Sequence, residues 1–93
     1  MIDDFLRDLD RQTALYGEMI GTTDVARLQA LLGEAGAIDA RIAPIRRRWP
    51  EVAGTLDVET ARRAGRSIDA ARDVLARLVD RFAPPARVAE VYR

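Results

Sequence analysis

Apolar residues recur at steps of three and four over three long stretches of this 93-residue chain, and that period is helical. In the first stretch Ile2, Phe5, Leu9, Tyr16 and Met19 share one line, with Gln12 as its polar member. Leu6, Thr13 and Ile20 widen the stripe. The spacing predicts a helix over about residues 3–20, stopped by Gly21. Thr22 or Thr23 is expected to cap the next helix, with Asp24 favourable in or beside its first turn.

The second helix is predicted over about residues 24–48. Leu28, Leu31, Ala35, Ile38, Ile42, Ile45 and Trp49 keep an unbroken alternation of three and four, which is a coiled-coil-like seam. Beside it runs a stripe of small residues, Ala26, Ala30, Gly33, Ala37 and Ala40, where the first helix is expected to pack. Pro44 lies inside this stretch and removes a backbone donor, yet the seam passes it without a change of phase. A curved or kinked helix is therefore expected at Pro44, and the stop at Pro50, which should hold Trp49 near extended geometry. Trp49 is expected to cap the core at the tip.

The third helix is predicted over about residues 58–82 with Asp57 as its N-cap. Ala61, Ala64, Ile68, Ala71, Leu75, Leu78 and Phe82 repeat the seam spacing. Two matched seams joined by a short connection predict an antiparallel hairpin of the second and third helices. The expected fold is all-α: an antiparallel three-helix bundle, dominated by this long hairpin, over residues 1–83. Pro84 and Pro85 then open a C-terminal tail over 84–93.

Composition narrows the chemistry. The 15 basic residues are all arginine and are matched by 15 acidic ones, so no positive excess points to nucleic acid. Lysine, histidine, cysteine and asparagine are absent. Without His and Cys there is no ordinary zinc or copper site, no thiol or Ser–His nucleophile and no disulfide framework. No catalytic residues, metal or other cofactor are expected. An enzyme handling a dianion would need several converging cations. Arg7, Arg11 and Arg27 are available, but no buried polar cluster shows at helical spacing.

Arg46, Arg47, Arg48, Arg62, Arg63 and Arg66 are brought to one end by the hairpin. Asp3, Asp4, Asp8, Glu51, Asp57 and Glu59 are expected at the same end, so the pattern predicts internal neutralisation. The acidic start, MIDDFLRDLD, does not read as a secretory signal, and no run of about 18 apolar residues is present. A cytoplasmic protein without membrane insertion is expected.

The run LYGEMIGTTDVARLQALLGEAGAIDARI resembles the flagellar export chaperones of the FlgN and FliT kind. Leu15 and Ile20 stand in the first helix, Gly21 and Asp24 at the break, and Leu28, Leu31, Leu32, Ile38 and Ile42 in the second helix. The likeness extends over roughly residues 12–82. It implies a non-enzymatic cytoplasmic chaperone that holds an amphipathic, aggregation-prone segment of an export substrate, a flagellar axial protein, and delivers it to the export apparatus. It also implies that a C-terminal segment, here residues 86–93, covers the binding surface. Partner contacts are expected at apolar positions left over once the seam closes: Leu32, Val74 and Val79, with Tyr16 on the first helix and Trp49 at the tip. The alternative is a homo-oligomerisation or protein-interaction module in which the seam pairs with a second copy and no export is involved.

Overall fold

The structure, a computed structural model, describes residues 2–82. The described residues are helical, with no strand: α1 (Ile2–Gly21), α2 (Val25–Arg47), α3 (Trp49–Ala53) and α4 (Val58–Phe82). The all-α bundle expected from the spacing is present. The predicted tail over 84–93, and its role as a cover, lie outside the described residues.

Local chemistry explains most boundaries. Asp24 caps α2, its carboxylate accepting the amide of Ala26 at 3.0 Å. The threonines expected there do not cap; Thr22 instead donates its hydroxyl to the Glu18 carbonyl at 2.7 Å. Asp57 serves α4 as predicted, accepting the Thr60 amide at 2.7 Å. Pro44 sits inside α2, which runs through it to Arg47. Pro44 and Ala40 are both exposed, so water can serve the Ala40 carbonyl that the proline leaves without a donor.

Pro50 corrects the expectation placed on it. The break comes earlier, at Arg48 (φ −104°, ψ 19°), and Trp49 begins a new short helix rather than an extended connection. Pro50 lies in the first turn of α3, where a missing N–H costs no intrahelical bond. What looked like a loop is thus partly a one-turn helix that carries the chain from α2 to α4.

The packing order also differs from the expected hairpin. The central helix is α1: it packs against both α2 and α4, while α2 and α4 scarcely touch each other. α2 runs antiparallel to α1, with Leu28 near Met19 and Trp49 stacked on Phe5. α4 runs parallel to α1, since Arg63 reaches Asp3 and Arg81 reaches the Ile20 carbonyl. Phe5, Leu6, Leu9, Leu15 and Met19 of α1 are buried with Leu31, Ala35, Ile38 and Ile42 of α2 and Ala64 of α4.

Width of the apolar stripe decides this order. On α1 it covers adjacent residues, Phe5 with Leu6 and Tyr16 with Leu15, enough for two partners. The large-residue seam of α2 is spent on α1, and its small-residue stripe, Ala26, Ala30, Gly33, Ala37 and Ala40, faces solvent. Burial free energy scales with apolar area, so a face of alanine and glycine is the cheapest to leave wet. On α4 the buried set is Ala64, Ser67 and Val74, rotated by about one residue from the predicted seam. Val74, expected to remain free for a partner, is therefore core: it is 8% exposed and lies opposite Gly17 of α1. Leu75 and Phe82, expected inside the seam, are 45% and 53% exposed.

The resulting molecule is thin. Its Cα radius of gyration is 15.7 Å, against about 12 Å for a compact domain of this length.

Candidate functional site: an apolar groove between α2 and α4

Because α2 and α4 lean on α1 and not on each other, a groove runs between them with α1 as its floor. Each helix contributes one line of residues at three-and-four spacing. The floor carries Phe5, Leu9, Gln12, Tyr16 and Met19; along α1 this spans about 21 Å. The α2 wall presents Leu28, Leu32, Asp39, Ile42 and Arg46, with Trp49 of α3 continuing it. The α4 wall presents Ile68, Arg72, Leu75, Val79 and Phe82.

The groove deepens at two places. The far depression, at the C-terminal end of α4, is about 360 Å³ and wholly apolar, lined by Met19, Leu28, Leu32, Leu78, Val79 and Phe82. Leu32, Val79 and Phe82 are each more than half exposed. Exposed large side chains gathered on two facing walls are what a docking surface needs, whereas single exposed ones are ordinary. The near depression, about 330 Å³, mixes apolar Phe5, Leu9, Ile42, Trp49, Ile68 and Leu75 with Gln12, Tyr16, Asp39, Arg46 and Arg72. Trp49 closes its end, its ring stacked on Phe5 with centroids 5.6 Å apart and planes at 28°.

The polar groups of the near depression form a waist between the two apolar ends. Gln12 is buried and donates its side-chain amide to the Ala35 carbonyl at 3.3 Å, tying the floor to the α2 wall. Arg46 donates to Asp39 at 2.6 Å and holds its carboxyl below the usual range, with Gln12 adding to the effect. Partial burial pushes the Tyr16 phenol up; Asp39 pushes the same way and Arg46 opposes it. Tyr16 therefore stays a neutral hydrogen-bonding group at neutral pH.

Four of the five residues predicted to contact a partner, Tyr16, Leu32, Trp49 and Val79, line this one groove. Val74 does not. The spacing assigned Leu28, Ile68, Leu75, Leu78 and Phe82 to a closed hairpin seam, and they line the groove because that seam is open. Gln12, Asp39, Arg46 and Arg72 were not singled out for it. The signal was there: residues 39, 42, 46 and 49, and residues 68, 72 and 75, fall on the same three-and-four line as the apolar members.

Outside the groove part of the expected neutralisation is present, while Arg47 and Arg66 make no ion pair among the described residues. Arg63 meets Asp3 at 3.3 Å, Arg48 meets Glu51 at 3.3 Å, and Arg62 meets Glu59 at 3.6 Å at the tip. Arg41–Asp8 at 3.0 Å and Arg11–Glu34 at 2.9 Å clip α2 to α1 on the outer side. These pairs are exposed and contribute little stability; they help fix register. Among the described residues no helix is long and apolar enough to cross a membrane, and no cluster of His, Cys, Asp or Glu is placed to hold a metal ion. Set against known protein families, characterised proteins and solved structures, the chain matches none of them.

Proposed function

We propose that this protein is a non-enzymatic binding module that takes an amphipathic helical segment of a protein partner into the groove between α2 and α4. The observation that carries the reading is the groove itself: two walls of exposed Leu32, Val79, Leu75 and Phe82 standing apart over a floor that is apolar at both ends. A helix laid there would meet three helices at once and complete a four-helix arrangement, the helix-in-groove mode of recognition. A cytoplasmic export chaperone that shields such a segment, as in the resemblance to flagellar export chaperones, is the specific form of this reading. It explains an open apolar groove on a chain with no catalytic constellation.

The test is capture that depends on the groove. Tagged protein from its own cells is compared with Leu32→Asp and Val79→Asp variants, and bound proteins are identified by mass spectrometry. The reading expects a flagellar axial protein, held through a helical segment, to be retained in near-equal amount by the wild type and lost from both variants, with helicity unchanged by circular dichroism. Retention by the variants would refute the groove as the site. A stable dimer with nothing else bound would favour the homo-oligomerisation module instead.

A further inference from the structure

Among the described residues, the lining of the groove's waist holds two arginines, Arg46 and Arg72, against one aspartate, Asp39. Asp39 and Arg46 satisfy each other at 2.6 Å, and Tyr16 and Gln12 are uncharged. Arg72 is the remaining ion on the lining. It makes no ion pair among the described residues, although most arginines there do. Its neighbour Asp73 is taken by Arg77. Arg47, Arg66 and Arg81 also make no ion pair among the described residues, but none of them lines the groove, and Arg81 donates to the Ile20 carbonyl.

We infer that the segment bound in the groove carries a carboxylate at the level of Arg72, with large apolar residues one and two turns to either side on the same face. This presupposes that the groove takes a helical segment, and adds what that segment must look like. Arg72 is exposed in the free chain, with Ile68 and Leu75 one turn away on its own line. A helix covering the groove strips water from the guanidinium, and a buried cation left without a partner is costly. A carboxylate returns that cost through a charge-assisted, bidentate pair, which a guanidinium is shaped to make. A basic residue at the same place is rejected twice, by repulsion and by desolvation. Apolar anchors fit on either side. Val79 stands seven residues beyond Arg72, about 10 Å along the helix, in the far depression, and Trp49 closes the near one.

The full chain is titrated with three synthetic amphipathic peptides of about 18 residues, about 27 Å as helices. They share one face of leucine and phenylalanine and differ at its central position: Glu, Gln or Arg. The sole tryptophan, Trp49, lines the near depression and reports binding by its fluorescence. The Glu peptide is expected to bind about three- to tenfold tighter than the Gln peptide, with the Arg peptide weakest. Arg72→Gln should erase the gap between Glu and Gln. Arg72→Glu should reverse the order in favour of the Arg peptide. The gap should shrink toward 1 M salt, where the screening length is about 3 Å.

Equal affinities in the wild type, or a gap that survives Arg72→Gln, overturn the inference. If that equal binding is lost in Val79→Asp, the groove still takes helices and only the charge preference fails. Binding of no peptide at all sinks both. A discrete dimer that the peptides cannot dissociate assigns the groove to a second copy, and also overturns it.

Discussion

Leu31 and Leu32 are adjacent and chemically identical, yet the arrangement around α1 gives them opposite roles. Leu31 is 1% exposed in the α1–α2 interface; Leu32 is 56% exposed on the groove wall. Leu31→Ala removes buried methyl groups and leaves a cavity, a change that costs about 2–5 kcal/mol. Leu32→Ala gives up less than half of a leucine's burial. Full burial contributes about 1.5–3 kcal/mol, so the loss is about 1 kcal/mol, reduced slightly by alanine's better helix propensity. For a domain of this size each kcal/mol moves Tm by about 4–8 °C. Thermal melts followed at 222 nm should therefore separate the two variants by at least about 4 °C, and urea melts should show the same order. The order should invert in binding: Leu32→Ala should weaken capture of a helical segment several-fold at temperatures where both variants are folded. Equal destabilisation by the two substitutions would mean that α2 is rotated from the position described, and the groove would lose its wall. Unimpaired binding by Leu32→Ala would refute the docking reading while leaving the fold intact.

Gly33, Gly36 and Gly65 are interior helix positions with helical backbone, and a Cβ added at any of them meets nothing within 4 Å. Each change to alanine should stabilise by about 0.5–1 kcal/mol, and the triple variant should melt roughly 6–24 °C higher, which thermal denaturation would show. A loss of stability at Gly33 or Gly36 would place a neighbour on the small-residue face of α2. Acid should destabilise the fold. Asp8 beside Arg41, Asp39 beside Arg46 and Asp57 capping Thr60 all have carboxyls held below the ordinary value of 3.8. A depressed carboxyl contributes stability above its unfolded value and loses it as pH falls through the folded one. Urea midpoints should therefore be flat from about pH 5 to 8 and fall below about pH 4; a midpoint rising on acidification would contradict the pairings.

The helices were legible in the sequence because the period is local. Three-and-four spacing, Gly21 as a stop and Asp57 as a cap belong to single segments, and the structure places those elements within a residue or two of their expected bounds. The pairing of helices was not legible for a physical reason. The lines Leu28-Leu31-Ala35-Ile38-Ile42 and Ala64-Ile68-Ala71-Leu75-Leu78 match each other in period, and each equally matches α1. Only the width of α1's stripe distinguishes the two arrangements. Val74 shows the consequence. Turning α4 by about one residue toward α1 buries Val74 and brings Leu75 and Phe82 to the surface, so one change of partner moves residues both into and out of the candidate site. Trp49 kept its place under both arrangements, since it follows the end of α2 wherever α4 goes, and stacks on Phe5.

A groove of this kind follows from a shortage of core. α2 gives the core four side chains, Leu31, Ala35, Ile38 and Ile42, whereas α4 fully buries only Ala64, Ser67 and Val74, which are small. Bringing α4 across to close on α2 would bury Leu75, Val79 and Phe82, but it would also have to bury Arg72 against the Asp39–Arg46 pair. Desolvating that third ion without a carboxylate to meet it opposes the apolar gain of closure. The same residue would thus oppose closure in the free chain and, in the proposed mode, select what lies between the walls. Stability then rests on α1 as the common partner of both walls, and occupation of the groove in the proposed mode would add to it by mass action, about 2.7 kcal/mol at a hundredfold excess over Kd. Against the roughly 5–15 kcal/mol that holds a domain together, that increment is large. A segment in the groove would therefore supply a substantial part of the interior that the three helices leave unfilled.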